Sequence, residues 1–371
     1  LIKDGDKFRE CSYDEAIVLV AKKAESIATK YGKDSVAVSI SDRFTNEEAS
    51  VIKKLADAMG AKTLCFNHVE SGLKKVLGVD KSPNTMDELL STNVILVFGY
   101  IMEKNPVVQL KLKQAAENGA KIYVINPVGV EVVNFDFAEK VIYTGNNLDA
   151  LKEIAKYLVD EKDNLSLTNL LELKKSLENV FVSDEIKEVA SAYNNAKKAM
   201  IVFQENVLSV DAATMIGNIA LVSNHIGAPR DGIVQIKGKN NSQGLVDMGI
   251  DKGIEEMANV KALLCFGEDP CVLGDDILDN LEFVMTVDTH MTDTCKNSNV
   301  VLPGSGPMSV EGTYTNTDGR VQFVNKVIDE NIEFNNEELA RKIASVYEVD
   351  LYKVVTKAPL KENVVESLVV V

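Results

Sequence analysis

Apolar positions fall into two alternating patterns, unbroken runs of four to six residues and longer stretches with one apolar face at helical spacing. Ser12 with Asp14 and Glu15 predicts a helix start, and Ile17, Val20, Ala24 and Ile27 share one face of the helix that runs to about Tyr31. The run Ser35-Val-Ala-Val-Ser-Ile40 reads as a strand. Thr45 and Glu48 form a capping-box signature for a second helix, which Gly60 ends. Val94-Ile-Leu-Val-Phe98 is the unbroken apolar run of a strand buried on both faces. Pro106 opens a helix that Gly119 closes, and Lys121-Ile-Tyr-Val-Ile125 is the next strand. Strand–helix–strand alternation of this kind builds a mostly parallel sheet.

A strongly helical stretch follows from Leu148 to about Lys198, and then a second α/β block begins. Its strands are Ala199–Phe203, Lys261–Phe266 and Glu282–Val287, with a helix from Asp211 to His225. The expected fold class is α/β, with two interleaved lobes of mostly parallel sheet flanked by helices. The expected division is residues 1–147 as the first lobe, 148–330 as a helical segment plus the second lobe, and 331–371 as a tail.

Polar loops at strand ends carry the candidate chemistry, because ligands of open α/β sheets bind at the carboxyl ends of strands. Asn240-Asn-Ser-Gln-Gly-Leu-Val-Asp-Met-Gly249 concentrates amides and glycines, which makes Asn241, Gln243 and Gly244 candidate ligand contacts. Gly267-Glu-Asp-Pro270 follows one strand directly and Asp288-Thr-His-Met-Thr-Asp-Thr294 another, adding Gly267, Asp269, Asp288 and His290. Val300-Val-Leu-Pro303 and Glu311–Gln322 complete the series. No G-x-G-x-x-G stands behind a strand, and Gly232 to Lys239 spaces its glycines wrongly for a phosphate-binding P-loop.

Composition narrows the class further. The 371 residues are 46% hydrophobic and carry a formal charge of −16, so an association with nucleic acid is not expected. The five cysteines form no Cys-x-x-Cys pair, which excludes a zinc ribbon or an iron–sulfur motif within this sequence, and their odd number suits a reducing compartment. No apolar stretch is long enough to insert into a bilayer. The start at Leu1 and the Val-rich end at Val371 lead us to expect a piece of a longer polypeptide.

The ordered set of motifs resembles the molybdopterin oxidoreductase superfamily, shared by formate dehydrogenase catalytic subunits and the large iron–sulfur (G) subunit of NADH:quinone oxidoreductase, or complex I. The opening Leu1–Ala16, Thr45-Asn-Glu-Glu48, Gly99, Asn105-Pro-Val107, Asn241-Ser-Gln-Gly244, Gly267–Pro270, Asn299–Pro303, Glu311-Gly-Thr313 and Gly319-Arg-Val-Gln322 carry it over roughly residues 1–330. The resemblance implies a body like the central domains of formate dehydrogenase or DMSO reductase. Each lobe would cradle one half of a bis-molybdopterin guanine dinucleotide bearing Mo or W. Gly99 would approach that cofactor, His290 would reach a phosphate or ribose, and Cys65, eight residues before Leu73, would stand at the metal-ligand position.

Departures from the pattern qualify this. Gly99-Tyr-Ile-Met102 lacks the amide of Gly-x-Asn-Pro, and Asn126-Pro-Val128 replaces the guanine-facing Asp-Pro-Arg. The His expected after the ligand is Phe66, and the barrel-like closing domain of catalytic members has no counterpart. These point to a scaffold of the complex I type with no metal or pterin of its own, and with iron–sulfur clusters on upstream domains or partners. Two alternatives stay open, a formate-dehydrogenase-like catalytic subunit with the metal dinucleotide, and a non-enzymatic module that docks subunits. Each implies partner subunits of an NADH-linked or formate-linked electron-transfer complex, in the cytoplasm or peripheral to a membrane assembly.

Overall fold

The computed structural model describes residues 1–99, 105–130, 132, 135–162, 165–274, 276–352 and 367–371. In chain order the strands are β1 (Ile2–Asp4), β2 (Lys7–Arg9), β3 (Val36–Ile40), β4 (Lys62–Leu64), β5 (Val94–Phe98), β6 (Lys121–Pro127) and β7 (Lys140–Thr144). They continue with β8 (Ala199–Gln204), β9 (Gly232–Ile236), β10 (Ala262–Phe266), β11 (Phe283–Asp288), β12 (Val300–Pro303), β13 (Gly312–Thr315) and β14 (Val321–Val324). The helices are α1 (Tyr13–Tyr31), α2 (Asn46–Met59), α3 (Gly72–Leu77), α4 (Pro106–Glu117), α5 (Asn147–Glu161) and α6 (Leu170–Ser176). After them come α7 (Asp184–Asn194), α8 (Val210–Ser223), α9 (Ser242–Asp247), α10 (Asp293–Asn297) and α11 (Asn336–Val346).

Two units divide the chain. Unit 1 comprises Leu1–His68, Lys239–Asn316 and Arg320–Leu360; unit 2 comprises Val69–Gly238, Thr317–Gly319 and Lys361–Val371. Unit 1 holds a seven-stranded sheet in the order β2-β1-β12-β11-β10-β3-β4. Its five strands from β12 to β4 run parallel, and the β1–β2 hairpin joins antiparallel at the edge. Unit 2 holds the all-parallel sheet β7-β6-β5-β8-β9. The unbroken apolar runs Val94–Phe98 and Leu263–Phe266 are interior parallel strands, buried along their whole length.

Local chemistry explains the main elements. Ser12 caps α1 by accepting the Glu15 N–H, and Thr45 and Glu48 complete the capping box of α2. Gly60 ends α2 in the left-handed conformation, at φ +66. In unit 1, α1, α2 and α11 pack through Ile17, Val20, Ile52, Leu55 and Ile343 onto Val38, Ile40, Leu264 and Phe266 of the sheet. In unit 2, α5, α7 and α8 cover Leu96, Phe98, Ile201 and Phe203, while α4 covers Val97, Val124 and Val202 on the opposite face.

The structure departs from the sequence reading in several places. The unit boundaries fall at 68/69 and 238/239 instead of 147/148 and 330/331, because β10 pairs between β3 and β11 and draws residues 239–316 back to the N-terminal segment. Most of the amide-rich 240–249 stretch is helix α9 rather than loop, and Val300–Pro303 is strand β12, buried from Val300 to Leu302, rather than a loop. Three consecutive apolar residues have more to gain from pairing with β11 than from a turn. The strands Gly232–Ile236 and Lys140–Thr144 are not among those the sequence predicts.

Candidate functional site

Four neighbouring parallel strands of unit 1 end in register, with Phe266 opposite both Ile40 and Val287, and Val287 opposite Leu302. The residues beyond that row open into a cleft of about 770 Å³, within the range of small-molecule and cofactor sites. Ser41, Arg43 and Phe44 enter it after β3, Gly267 to Asp269 after β10, Asp288 to His290 after β11, and Gly304 to Gly306 after β12.

Backbone geometry shapes the floor. Gly267 has φ +71, and a Cβ there would lie 2.5 Å from the Phe44 ring, so only glycine lets the two loops approach. Asn336 from α11 ties the rear wall: its Nδ2 donates to Glu48 at 2.8 Å and its Oδ1 accepts the Ser305 N–H at 3.0 Å. Burial pushes the Glu48 carboxyl above its ordinary value, against the opposing pull of the Thr45 and Asn336 hydrogen bonds.

The polar groups facing the cleft differ in how far they are already engaged. Asp269 accepts both the N–H and the hydroxyl of Thr294, at 3.0 and 2.6 Å, and so fixes its own turn. Asp288 Oδ1 accepts the His290 N–H at 3.1 Å, and the exposed His290 ring meets the Thr289 hydroxyl through Nδ1 at 2.8 Å. Arg43 is exposed and Lys239 is half-buried; among the described residues neither makes an ion pair. Two uncommitted cations beside carboxylate acceptors suit an anionic ligand that also offers N–H donors.

Gly267, Asp269, Asp288 and His290 are thus brought together in one cleft. Asn241, Gln243 and Gly244 lie behind it. Asn241 is fully buried, donating to the Phe44 carbonyl and accepting the Thr315 N–H, both at 2.8 Å. Gln243 donates to Asp247 at 2.8 Å, and a Cβ on Gly244 would strike Asn241 Oδ1 and Asn46 Oδ1 at 2.3 Å. The amides expected to serve a ligand serve the scaffold, and their neighbours Lys239 and Asn240 face the cleft instead. Arg43, Lys239, Glu48 and Asn336 escaped the sequence reading. Only Arg43 carried a signal, its place three residues beyond an apolar strand.

Cys65 follows β4 but does not line the cleft; Phe66 and Asn67 do. Its thiol is 2% exposed within the apolar core, and burial pushes it well above the ordinary thiol range, with the Glu268 carboxyl beside it acting in the same direction. Burial likewise holds Glu268 well above the carboxylate range.

Gly99 belongs to unit 2, where it follows β5 at φ +86. By register, Asn126 and Gln204 flank it at the ends of β6 and β8. Both are buried; among the described residues Asn126 Oδ1 and both amide atoms of Gln204 have no hydrogen-bond partner. The position of Ile101 lies outside the described residues. Just beyond this row, Lys237 is enclosed with Asp80 at 2.7 Å and Glu205 at 3.0 Å, all more than nine-tenths buried.

Comparison with known proteins places this architecture. The model of the molybdopterin oxidoreductase family matches residues 1–337. The alpha subunit of F420-dependent formate dehydrogenase 2 from Methanococcus maripaludis is 27% identical over 89% of this chain and 58% of its own length. Formate dehydrogenase H from Escherichia coli is 25% identical over 88% of this chain and 56% of its own. The chain therefore spans a little over half the length of the curated relatives it matches. Acetylene hydratase from Pelobacter acetylenicus shares the fold at a TM-score of 0.70 and 16% identity, over 91% of this chain and 58% of that one. A family match over most of its length, on a fold of two mostly parallel α/β units, shows that this chain belongs to the molybdopterin oxidoreductase family.

Proposed function

We propose that this chain is the dinucleotide-holding body of a formate-dehydrogenase-type alpha subunit, working among other subunits of an electron-transfer complex. Formate dehydrogenase alpha subunits among its relatives favour this over the NADH-linked G-subunit reading. The carrying observation is the cleft of unit 1, which Arg43, Lys239 and Asp288 all line, with neither cation in an ion pair among the described residues. Among the described residues Asp288 Oδ2 takes no hydrogen bond, so the carboxylate keeps an acceptor for the N–H groups of a guanine edge. The two cations would hold the diphosphate. These residues fit a pterin guanine dinucleotide, which when bound supplies two-electron transfer. Cys65, as folded, does not fit the role of metal ligand, since its thiol is buried away from the cleft. Among the described residues no helix is long and apolar enough to cross a membrane.

The test is cofactor content. The full chain, made in a molybdenum-replete host that assembles the dinucleotide, is oxidised, and the released pterin and GMP are quantified. Near-stoichiometric release is expected. Two charge-assisted contacts at about 2 kcal/mol each correspond to roughly 10³-fold in affinity, so an Arg43→Ala/Lys239→Ala double variant should purify empty. Its circular dichroism should be unchanged, because among the described residues neither side chain is engaged in an ion pair. Absence of pterin and GMP from the wild type, or full occupancy of the double variant, overturns the reading.

A further inference from the structure

Residues 65–68 lie where a protein group would meet a ligand in the unit 1 cleft, and they are unusually tied down. The Cys65 N–H donates to the Lys252 carbonyl at 2.8 Å, and the Cys65 carbonyl accepts the His68 N–H at 3.0 Å. The Asn67 side chain donates to Asp42 at 3.0 Å, and Asp42 also accepts the Ser242 hydroxyl at 2.6 Å. At the centre is Glu268. Its Oε1 accepts the Phe66 N–H at 2.8 Å, its backbone carbonyl accepts the Cys265 thiol at 3.2 Å, and the Cys65 thiol lies against its carboxyl. Glu268 itself is 5% exposed and is followed at once by the turn that Asp269 fixes through Thr294.

From this geometry we infer that Glu268 is a positioning residue that holds Cys65 out of the cleft, so that the exposed Asn67 amide, and no thiol, meets the ligand from this segment. A carboxyl reaching under the segment from β10 pins the Phe66 N–H, and that hydrogen bond sets which side of the backbone faces the cleft. Asn67 is exposed at the cleft, while Cys65 and Phe66 turn into the apolar clusters on opposite faces of the sheet. The consequence is chemical. The cleft offers its ligand an amide and two cations, and no soft sulfur donor, so a metal carried by the dinucleotide would gain no thiolate from the lining of this cleft. The inference rests on the dinucleotide reading only for what occupies the cleft; the placement of Cys65 is tested without any ligand.

The experiment is alkylation of the full, cofactor-free native chain with iodoacetamide, followed residue by residue by mass spectrometry. Cys271, half-buried, reports an accessible thiol, and Cys265, fully buried in the same neighbourhood, reports general loosening. In the wild type, Cys65 should react at least 100-fold more slowly than Cys271. In Glu268→Leu, which cannot accept the Phe66 N–H, Cys65 should accelerate at least tenfold while Cys265 does not. Glu268→Gln keeps an acceptor oxygen and should restore protection. Wild-type Cys65 reacting as fast as Cys271 would overturn the inference, as would unchanged protection in Glu268→Leu or equal acceleration of Cys65 and Cys265. If Glu268→Leu does not fold, the inference stands or falls on two rates, Cys65 in the wild type and Cys65 in Glu268→Gln, each expected at least 100-fold below Cys271; either one matching Cys271 overturns it. Failure of the dinucleotide reading leaves these rates unaffected, and failure here leaves pterin release unaffected.

Discussion

Lys237, Asp80 and Glu205 bury one cation with two carboxyls, so full ionisation would leave a net negative charge inside unit 2. Burial, with the neighbouring Asp80 adding to it, pushes the Glu205 carboxyl from its ordinary 4.5 up to about 7, even though Lys237 and the Gln235 amide pull the other way. The folded state therefore keeps a proton that the unfolded chain has released. Between pH 4.5 and 7 the unfolded chain binds fewer protons at this site, so stability falls as pH rises. The difference of about 2.5 pKa units, at about 1.36 kcal/mol each, corresponds to roughly 3 kcal/mol. That contribution is present in full below pH 4.5 and gone once the pH has passed 7. Glu205→Gln keeps an acceptor for Lys237, leaves the Lys237–Asp80 pair intact and cannot ionise. Urea unfolding of wild type and variant at pH 4.5, 6, 7 and 8, at fixed ionic strength, reads the difference. The stability of the variant relative to wild type should rise by about 3 kcal/mol across that range, whatever the offset at pH 4.5. A difference constant within about 0.5 kcal/mol, or one that falls with pH, refutes the charge argument.

Gln204 is fully buried and among the described residues neither amide atom is hydrogen-bonded, so Gln204→Met, which keeps an unbranched shape and removes the unmet polar atoms, should stabilise the chain by about 1–2 kcal/mol. Equal destabilisation in urea unfolding would show that the amide has a partner in solution. Asn241→Ala deletes two buried hydrogen bonds and strands the Phe44 carbonyl and the Thr315 N–H, for an expected loss of about 2–4 kcal/mol. A loss under about 0.5 kcal/mol by the same measurement would contradict its scaffold role.

The sequence by itself determined the elements and much of the site. Unbroken apolar runs such as Val94–Phe98 can be satisfied only by burial on both faces, and the Thr45–Glu48 capping box is a local contract between neighbouring residues. Loops that follow such strands directly, at Gly267–Asp269 and Asp288–His290, had to open at carboxyl ends, which is why those residues could be named in advance. Which strands became neighbours, and so which loops share a cleft, was decided only by the tertiary structure. Residues 239–316 join the N-terminal segment because β10 pairs with β3 across more than two hundred residues, and no local signal encodes that pairing. The same holds for side-chain direction. Asn241 and Asn240 read alike in sequence, yet one is spent on Phe44 and Thr315 and the other faces the cleft. Cys65 holds the place that the family resemblance gives a metal ligand, yet it is buried in the core, next to a hydrogen bond from Phe66 to Glu268, 202 residues away. Burial and hydrogen-bond partnership are properties of the assembled neighbourhood, and the chain supplies them only once its distant segments have met.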